Sequence, residues 1–240
     1  MVISVFLFLL GLIIGSFLAA LTYRIPKNKS IAKGRSKCPN CNNQIPWYDN
    51  IPLLSFLLLL GHCRNCQKQI SLRYPLIELG TAIIFVILGF NIFNLIFASI
   101  FISIFVIDIE HQIIPDELVF TGIFVLFINF IATNNQLLLV NLLSGFLSAG
   151  ILLFLNLITN GKGMGLGDVK LAVLIGTFVG IKLMLVWLFF SFAAGAFIGI
   201  ILILGKAGSM KQKIAFGPFL ITGFLLTIFF GQSFLSLLNL

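Results

Sequence analysis

The chain has 240 residues, of which 60% are hydrophobic and only 9% charged, with a mean hydropathy of +1.15. No soluble surface can be made from that composition, so the medium is expected to be a lipid bilayer. A net charge of +8 would raise the question of nucleic acid in a soluble chain. Here the basic residues fall in short connections between apolar runs, and nucleic acid is not expected as a partner.

The apolar runs are continuous rather than alternating. They therefore read as membrane helices and not as barrel strands, the only two structures that satisfy their backbone in lipid. The expected fold is an all-α polytopic membrane protein with about eight transmembrane helices and a small cytoplasmic zinc-knuckle-like loop domain. The spans fall at roughly 2–21, 75–91, 94–109, 117–133, 136–158, 168–183, 185–204 and 216–238. The first lacks a basic start and ends in Tyr23-Arg24 instead of a small-residue cleavage site, so it reads as a retained span and not a signal peptide. The domain plan is residues 1–21 as the first transmembrane helix, 22–74 as a cytoplasmic cysteine-containing loop, and 75–240 as the membrane-embedded core.

Orientation follows from the basic residues, because short loops rich in Lys and Arg stay in the cytoplasm. Nine lie between Arg24 and Arg73, and Lys162, Lys170, Lys206, Lys211 and Lys213 fall on the same side if there are eight spans. Only Lys182 falls opposite, so fourteen of the fifteen basic residues agree with one topology. Both termini are then outside, and the cysteine loop is cytoplasmic.

The loop holds Cys38-Pro-Asn-Cys41 and Cys63-Arg-Asn-Cys66, 21 residues apart. Two such pairs at this interval suit four thiolates around one structural zinc, with no open coordination position. In a reducing compartment they are not expected to be disulfides. Between the pairs, Trp47 to Phe56 and Leu57 to Leu60 form an apolar run too short to span a bilayer. It reads either as an interfacial hairpin, with Trp47 and Tyr48 at headgroup level, or as the core of the small metal-bound domain.

Only seven residues are acidic, and in this topology two of them end up together in depth. Asp108 closes a span running inward, in FVIDIEHQIIPDE, and Asp168 opens one running outward, in GMGLGDVKL. Acids at a bilayer edge are functional-site candidates by default. Two carboxylates sharing a site can activate water and cleave an amide without metal or nucleophile, so an aspartic peptidase built into a membrane is one expectation. Gly163, Gly165 and Gly167 would let backbone approach a substrate or take positive φ before the helix. The two acids meet if the third and sixth spans pack together, for which Gly145, Ser148, Ala149, Gly150, Gly176 and Gly180 supply small surfaces. The plainer readings are Asp168 as a helix N-cap and Asp108 as a solvated boundary residue like Glu110, Asp116 and Glu117. His62 and His111 are the only histidines and complete no Ser-His-Asp set, and GMGLGD lacks the GK[ST] of a phosphate loop. An ion-coupled transporter using the two acids is the alternative function, and a non-catalytic zinc-loop scaffold a third.

These motifs resemble those of the type IV prepilin peptidases, or prepilin leader peptidase/N-methyltransferases. Gly15-Ser16-Phe17-Leu18 with Tyr23-Arg24-Ile25-Pro26 is similar to the family's start. Cys38 to Cys41, Trp47 to Ser55, Cys63 to Cys66, Ile70-Ser71, Arg73-Tyr74-Pro75 and Glu78-Leu79 resemble its cytoplasmic loop. Asp108-Ile109-Glu110 with Ile114-Pro115-Asp116, and Gly163 to Leu171, resemble its two aspartate motifs. The resemblance implies a GxGD-type aspartic peptidase of the bacterial inner membrane that removes the basic leader of prepilins or pseudopilins at the cytoplasmic face. It implies Asp108 and Asp168 as the catalytic pair, supported by Gly165, Gly167 and Lys170, with Asp116 the rival to Asp108. The zinc ligands would be Cys38, Cys41, Cys63 and Cys66. Methylation of the new N-terminus with S-adenosylmethionine is also implied, although Ala19 stands where the family start commonly has Asn.

Overall fold

The computed structural model describes residues 2–31, 34–133, 137–161, 163–205 and 214–237. Lys33, Lys162, Lys206, Lys211 and Lys213, which entered the charge argument, lie outside them, as do residues 136 and 238 of the expected spans. The described residues are helical apart from turns and two isolated antiparallel bridges, Lys37 with Gln44 and His62 with Gln69. In chain order the helices are α1 (Val2–Arg24), the short α2 (Leu54–Leu58), α3 (Arg73–Leu88), α4 (Ile92–His111), α5 (Asp116–Ala132), α6 (Leu138–Ile158), α7 (Leu166–Val179), α8 (Met184–Leu204) and α9 (Gly217–Leu237). Single-turn 3₁₀ segments cover Ile25–Lys27 and Trp47–Asn50.

Each of the eight expected apolar runs is a helix, and among the described residues five helices are long and apolar enough to cross a membrane: Val2–Lys27, Ile92–His111, Leu138–Ile158, Met184–Leu204 and Gly217–Leu237. Helices α3, α5 and α7 have 16, 17 and 14 residues. At 1.5 Å per residue the shortest rises only about 21 Å, against a hydrocarbon core of about 30 Å. Eight crossings are therefore not established by length.

The chain divides into two compact units, residues 1–106 and 107–240. In the first, α1 lies along α3 because α1 presents glycine at the contact. A methyl group on Gly11 would stand 2.5 Å from the Ala82 Cα, and one on Gly15 2.7 Å from the Glu78 Cα. Two apolar clusters fill this unit: Leu7, Phe85, Leu95 and Ala98 towards one end, and Leu18, Ala19 and Ile77 towards the other. Arg73 ties the lower end by donating to the Ala19 carbonyl and the Thr22 hydroxyl.

In the second unit α6 packs on α7 and α8 on α9. The small residues expected to bring the third and sixth spans together in fact close α6 on α7. Gly145 faces Thr177 and the Val173 carbonyl, and Gly176 faces Ser148, whose hydroxyl donates to the Ala172 carbonyl at 3.0 Å. Of the others, Gly150 meets nothing within 4 Å, and Gly180 takes φ +80° beyond the end of α7. The α8 and α9 pair is pinned by the fully buried Trp187, whose indole N–H donates to the Leu220 carbonyl.

Candidate active site and metal centre

Helix polarity gathers the chemistry of the second unit. The carboxyl end of α4 meets the amino end of α9, and Ile114, just beyond α4, packs on the amino end of α7; at both amino ends backbone N–H groups have no partner inside their own helix. Asp108, in the last turn of α4, is 4% exposed. Its Oδ2 accepts the N–H of Gly217, the first residue of α9, at 2.9 Å. Asp168 is 7% exposed, and its Oδ2 accepts the N–H of Gly165 at 3.0 Å. Each aspartate thus takes a free amide at a helix amino end, which favours negative charge there. Asp168 is not the N-cap. Gly165 is, and Asp168 stands at the third helical position and reaches back to it.

The two acid-bearing helix ends are joined by one side chain. Ile114 makes the join: methyl groups on Gly167 and Gly217 would stand 3.0 Å from its Cβ and 3.2 Å from its Cδ1, respectively. One isoleucine is therefore wedged between the glycine before Asp168 and the glycine that holds Asp108.

The GxG loop works by closeness and not by positive φ. The left-handed residues in this stretch are Asn160 and Gly161, at φ 49° and 72°. Gly163 and Gly165 instead leave room for Thr159 and the Asp168 carboxylate. The loop is tied back to α6: Asn156 donates to the Met164 carbonyl, and Thr159 Oγ1 accepts the Gly163 N–H at 3.1 Å.

Asp116 is placed differently from Asp108. It opens α5 after Pro115, is half exposed, and takes Lys170 Nζ at 2.7 and 2.8 Å on its two oxygens. Lys170 therefore links α7 to α5, and Asp108 is the acid of the first motif that is buried beside Asp168. Sequence reasoning missed Gly217, Asn156 and Thr159. A Gly-Pro pair opening the last apolar run, Gly217-Pro218, was the available signal for the first.

The cysteine loop belongs to the first unit and is built from two copies of one knuckle. In each, the amide of the first cysteine donates five residues on, Cys38 to Asn43 and Cys63 to Lys68. The residue four on takes positive φ, Asn42 at 57° and Gln67 at 55°, and donates back to that cysteine's carbonyl. A third bond also repeats, from Ile45 to Ser36 and from Ile70 to Gly61. The four Sγ atoms lie within 4.8 Å of one another, and Cys38 and Cys66 are 3.9 Å apart. Zn–S bonds of about 2.3 Å in a tetrahedron set sulfurs about 3.8 Å apart, so the donor set fits such an ion.

Burial opposes ionisation of the Cys38 thiol, but the amides of Cys41 and Asn40 and the neighbouring thiols bring it down to about 7. At Cys41 the Asn43 amide favours the thiolate, yet burial and the Cys38 and Cys66 sulfurs push it up to about 11. A metal that takes all four thiolates must displace those protons, so its affinity falls as pH drops. We expect one metal ion per purified chain, lost on acidification or with Cys38→Ser, as read by elemental analysis.

The knuckles are braced by Arg64, which grips both oxygens of Asp49 at 2.7 and 2.8 Å. That guanidinium holds the Asp49 carboxyl below its ordinary value. Its contribution to loop stability is thus whole above the unfolded value of about 3.9 and lost as pH falls through the lower folded one. Melting curves of wild type and Asp49→Asn should differ at neutral pH and converge in acid.

Comparison with known proteins places these features in one family. Residues 9–92 match the Bacterial Peptidase A24 N-terminal domain, and residues 95–200 match the Type IV leader peptidase family. The chain is 36% identical to the prepilin leader peptidase/N-methyltransferase of Bacillus subtilis (strain 168), covering 96% of this chain and 95% of that one. It is 35% identical to the protein of that name from Myxococcus xanthus, over 88% of this chain and 67% of the relative. With the one from Aeromonas hydrophila it shares 32% identity, over 94% and 90%. No solved structure matches. The chain belongs to the type IV leader peptidase family.

Proposed function

We propose that this protein is a membrane-embedded aspartic endopeptidase that removes the leader of prepilins or pseudopilins and N-methylates the new amino terminus. The observation that carries the first activity is the pair of buried carboxylates, Asp108 and Asp168, each held by one helix-end amide through Oδ2. The second activity rests on the relatives' shared name. Nothing in those names supports a transporter.

In the reaction, one aspartate takes a proton from water as its oxygen attacks the scissile carbonyl. The other donates a proton to the carbonyl oxygen, giving a tetrahedral diol. Collapse of the diol breaks the C–N bond: the aspartate that took the proton from water gives it to the leaving amine, and the other recovers a proton from a diol hydroxyl, which restores the pair. The amides of Gly217 and Gly165 fix the Oδ2 atoms, so Oδ1 of each acid is the atom presented to water and substrate. The metal is assigned to the cysteine loop as a structural ion, with zinc the species that four thiolates favour. It enters no step of the peptide hydrolysis.

S-adenosylmethionine is the methyl donor implied by the second activity. The cavity of about 350 Å³ beside α2 is lined by apolar side chains alone and does not suit a charged sulfonium with a polar nucleoside. No step is assigned through that donor.

The charge pattern of the loops supports an inner-membrane orientation with both acids and the cysteine loop at the cytoplasmic face. There the scissile bond of a precursor whose apolar helix lies in the membrane would meet the acids. The test is cleavage of a prepilin-like membrane peptide by the purified protein, with methylation followed in the same tubes. Cleavage at the leader junction supports the reading, and an intact peptide with ion flux in vesicles would return the transporter.

A further inference from the structure

The segment between the two knuckles is held as if to offer an apolar face. Around its turn the polar groups are spent inward. Ser55, buried at 6%, donates to the Tyr48 carbonyl at 2.8 Å and accepts the Ile51 N–H at 3.1 Å. The Leu53 N–H goes to the buried carboxylate of Glu78 on α3, at 2.9 Å. Leu53 itself takes φ 57° and ψ −47°, with the Leu54 N–H on the Pro52 carbonyl at 2.6 Å. That is a tight γ-turn, a strained conformation for a branched residue, and it persists only where its surroundings enforce it.

What the turn presents is hydrophobic. Trp47 is 77% exposed, Leu57 67%, Leu58 75% and Leu60 83%. These residues are not the core of a small metal-bound domain. They stand outside it, forming an apolar surface of a kind that soluble proteins rarely leave open.

The same surface continues onto α3. Leu72, at the head of that helix, and Leu76 line the apolar cavity with Phe56 and Leu57. Beyond them Leu76, Leu79, Ile83 and Ile87 form an exposed stripe at helical spacing. That stripe runs alongside α1, one of the helices long and apolar enough to cross the membrane. The exposed apolar stripe of α3 therefore passes through the apolar cavity into the face of α2. A Trp-Tyr pair in edge contact, 5.8 Å between ring centres, lies at its outer margin beside Arg64, the arrangement favoured at headgroup level.

We propose that the segment Trp47 to Leu60 docks into the cytoplasmic lipid interface, with phospholipid acyl chains as its occupant. The cysteine loop is then a module laid on the membrane and clamped by Glu78, not one suspended in the cytoplasm. This inference needs only that α1 spans the bilayer and is independent of the peptidase reading.

The chain has two tryptophans, and Trp187 is fully buried, so Trp47 serves as the reporter. The full protein would be placed in phosphatidylcholine/phosphatidylglycerol nanodiscs, open on both faces. Its fluorescence would be measured with lipids brominated near the top of the acyl chain and, separately, with aqueous iodide. The difference between wild type and Trp47→Phe isolates the Trp47 signal without disturbing the buried residue. The expected result is that most Trp47 emission is quenched by bromine and little by iodide. The double variant Leu57→Asp/Leu58→Asp should reverse that preference while its helical circular dichroism stays unchanged. Three results would overturn the proposal: iodide quenching without bromine quenching; protection from iodide that appears only when a prepilin-like peptide is added, which would assign the face to substrate; or protection from both quenchers, which would assign it to another protein surface.

Discussion

Asp108→Asn and Asp168→Asn each abolish cleavage of a prepilin-like peptide, whereas Asp116→Asn keeps most of it. The expected losses for the first two are at least about 100-fold, the lower end of what a positioned acid or base contributes. They should be equal to each other and to the loss in the double variant, because residues acting as one unit are not additive. Asparagine keeps the size and the acceptor oxygen, so the amides of Gly217 and Gly165 retain a partner and the helices should melt as in wild type. Asp116 offers a sharp control, being the other acid of its motif yet half exposed on Lys170. An exposed ion pair of that kind is worth about 0–1 kcal/mol, so its loss should touch stability slightly and chemistry little. If Asp116→Asn is dead and Asp108→Asn cuts, the pairing argued from burial is wrong.

Much of this arrangement was legible because it depends on local pattern. Apolar runs of fixed length gave the helices, and the Cys-x-x-Cys repeats gave a four-sulfur cluster that the structure builds from two like turns. The topology put Asp108 and Asp168 at one end of their helices without any reference to contacts. What escaped is non-local. Gly217 lies 109 residues from the aspartate it holds, and no periodicity links them. Lys170 and Asp116 are 54 apart, so the role of that lysine was invisible beside its neighbour Asp168. The glycines of GMGLG were expected to let the backbone approach a substrate or take positive φ, because sequence shows a missing side chain but not the reason for it. The reason is crowding by Thr159, Asp168 and Ile114, of which the first two are near in sequence and Ile114 becomes a neighbour only on folding. Span counting reads hydropathy and so includes α3, α5 and α7, but at 14–17 residues these helices are shorter than a bilayer core asks for, so length does not establish eight crossings.

Gly217→Ala tests whether the amide of α9 sets the position of Asp108. The added methyl would stand 2.6 Å from Asp108 Oδ2 and 3.2 Å from Ile114 Cδ1. Both are ends of side chains, so the backbone need not move, and the cheapest response is for the carboxylate to swing away and give up its hydrogen bond. A displacement approaching 1 Å at a reacting group can cost about 100-fold in rate, and a loss of that order in kcat is the expected result, with melting nearly unchanged. Gly223→Ala supplies the contrast. There the methyl would meet the backbone of Ser191, at 2.7 Å from its N and 2.8 Å from its Cα, so α8 and α9 must part. Such overpacking costs about 1–3 kcal/mol, and the variant should lose stability first and activity only as a consequence. If instead Gly217→Ala cleaves at the wild-type rate, Asp108 does not need that amide, and the helix end is a cap for the acid without being its positioning device.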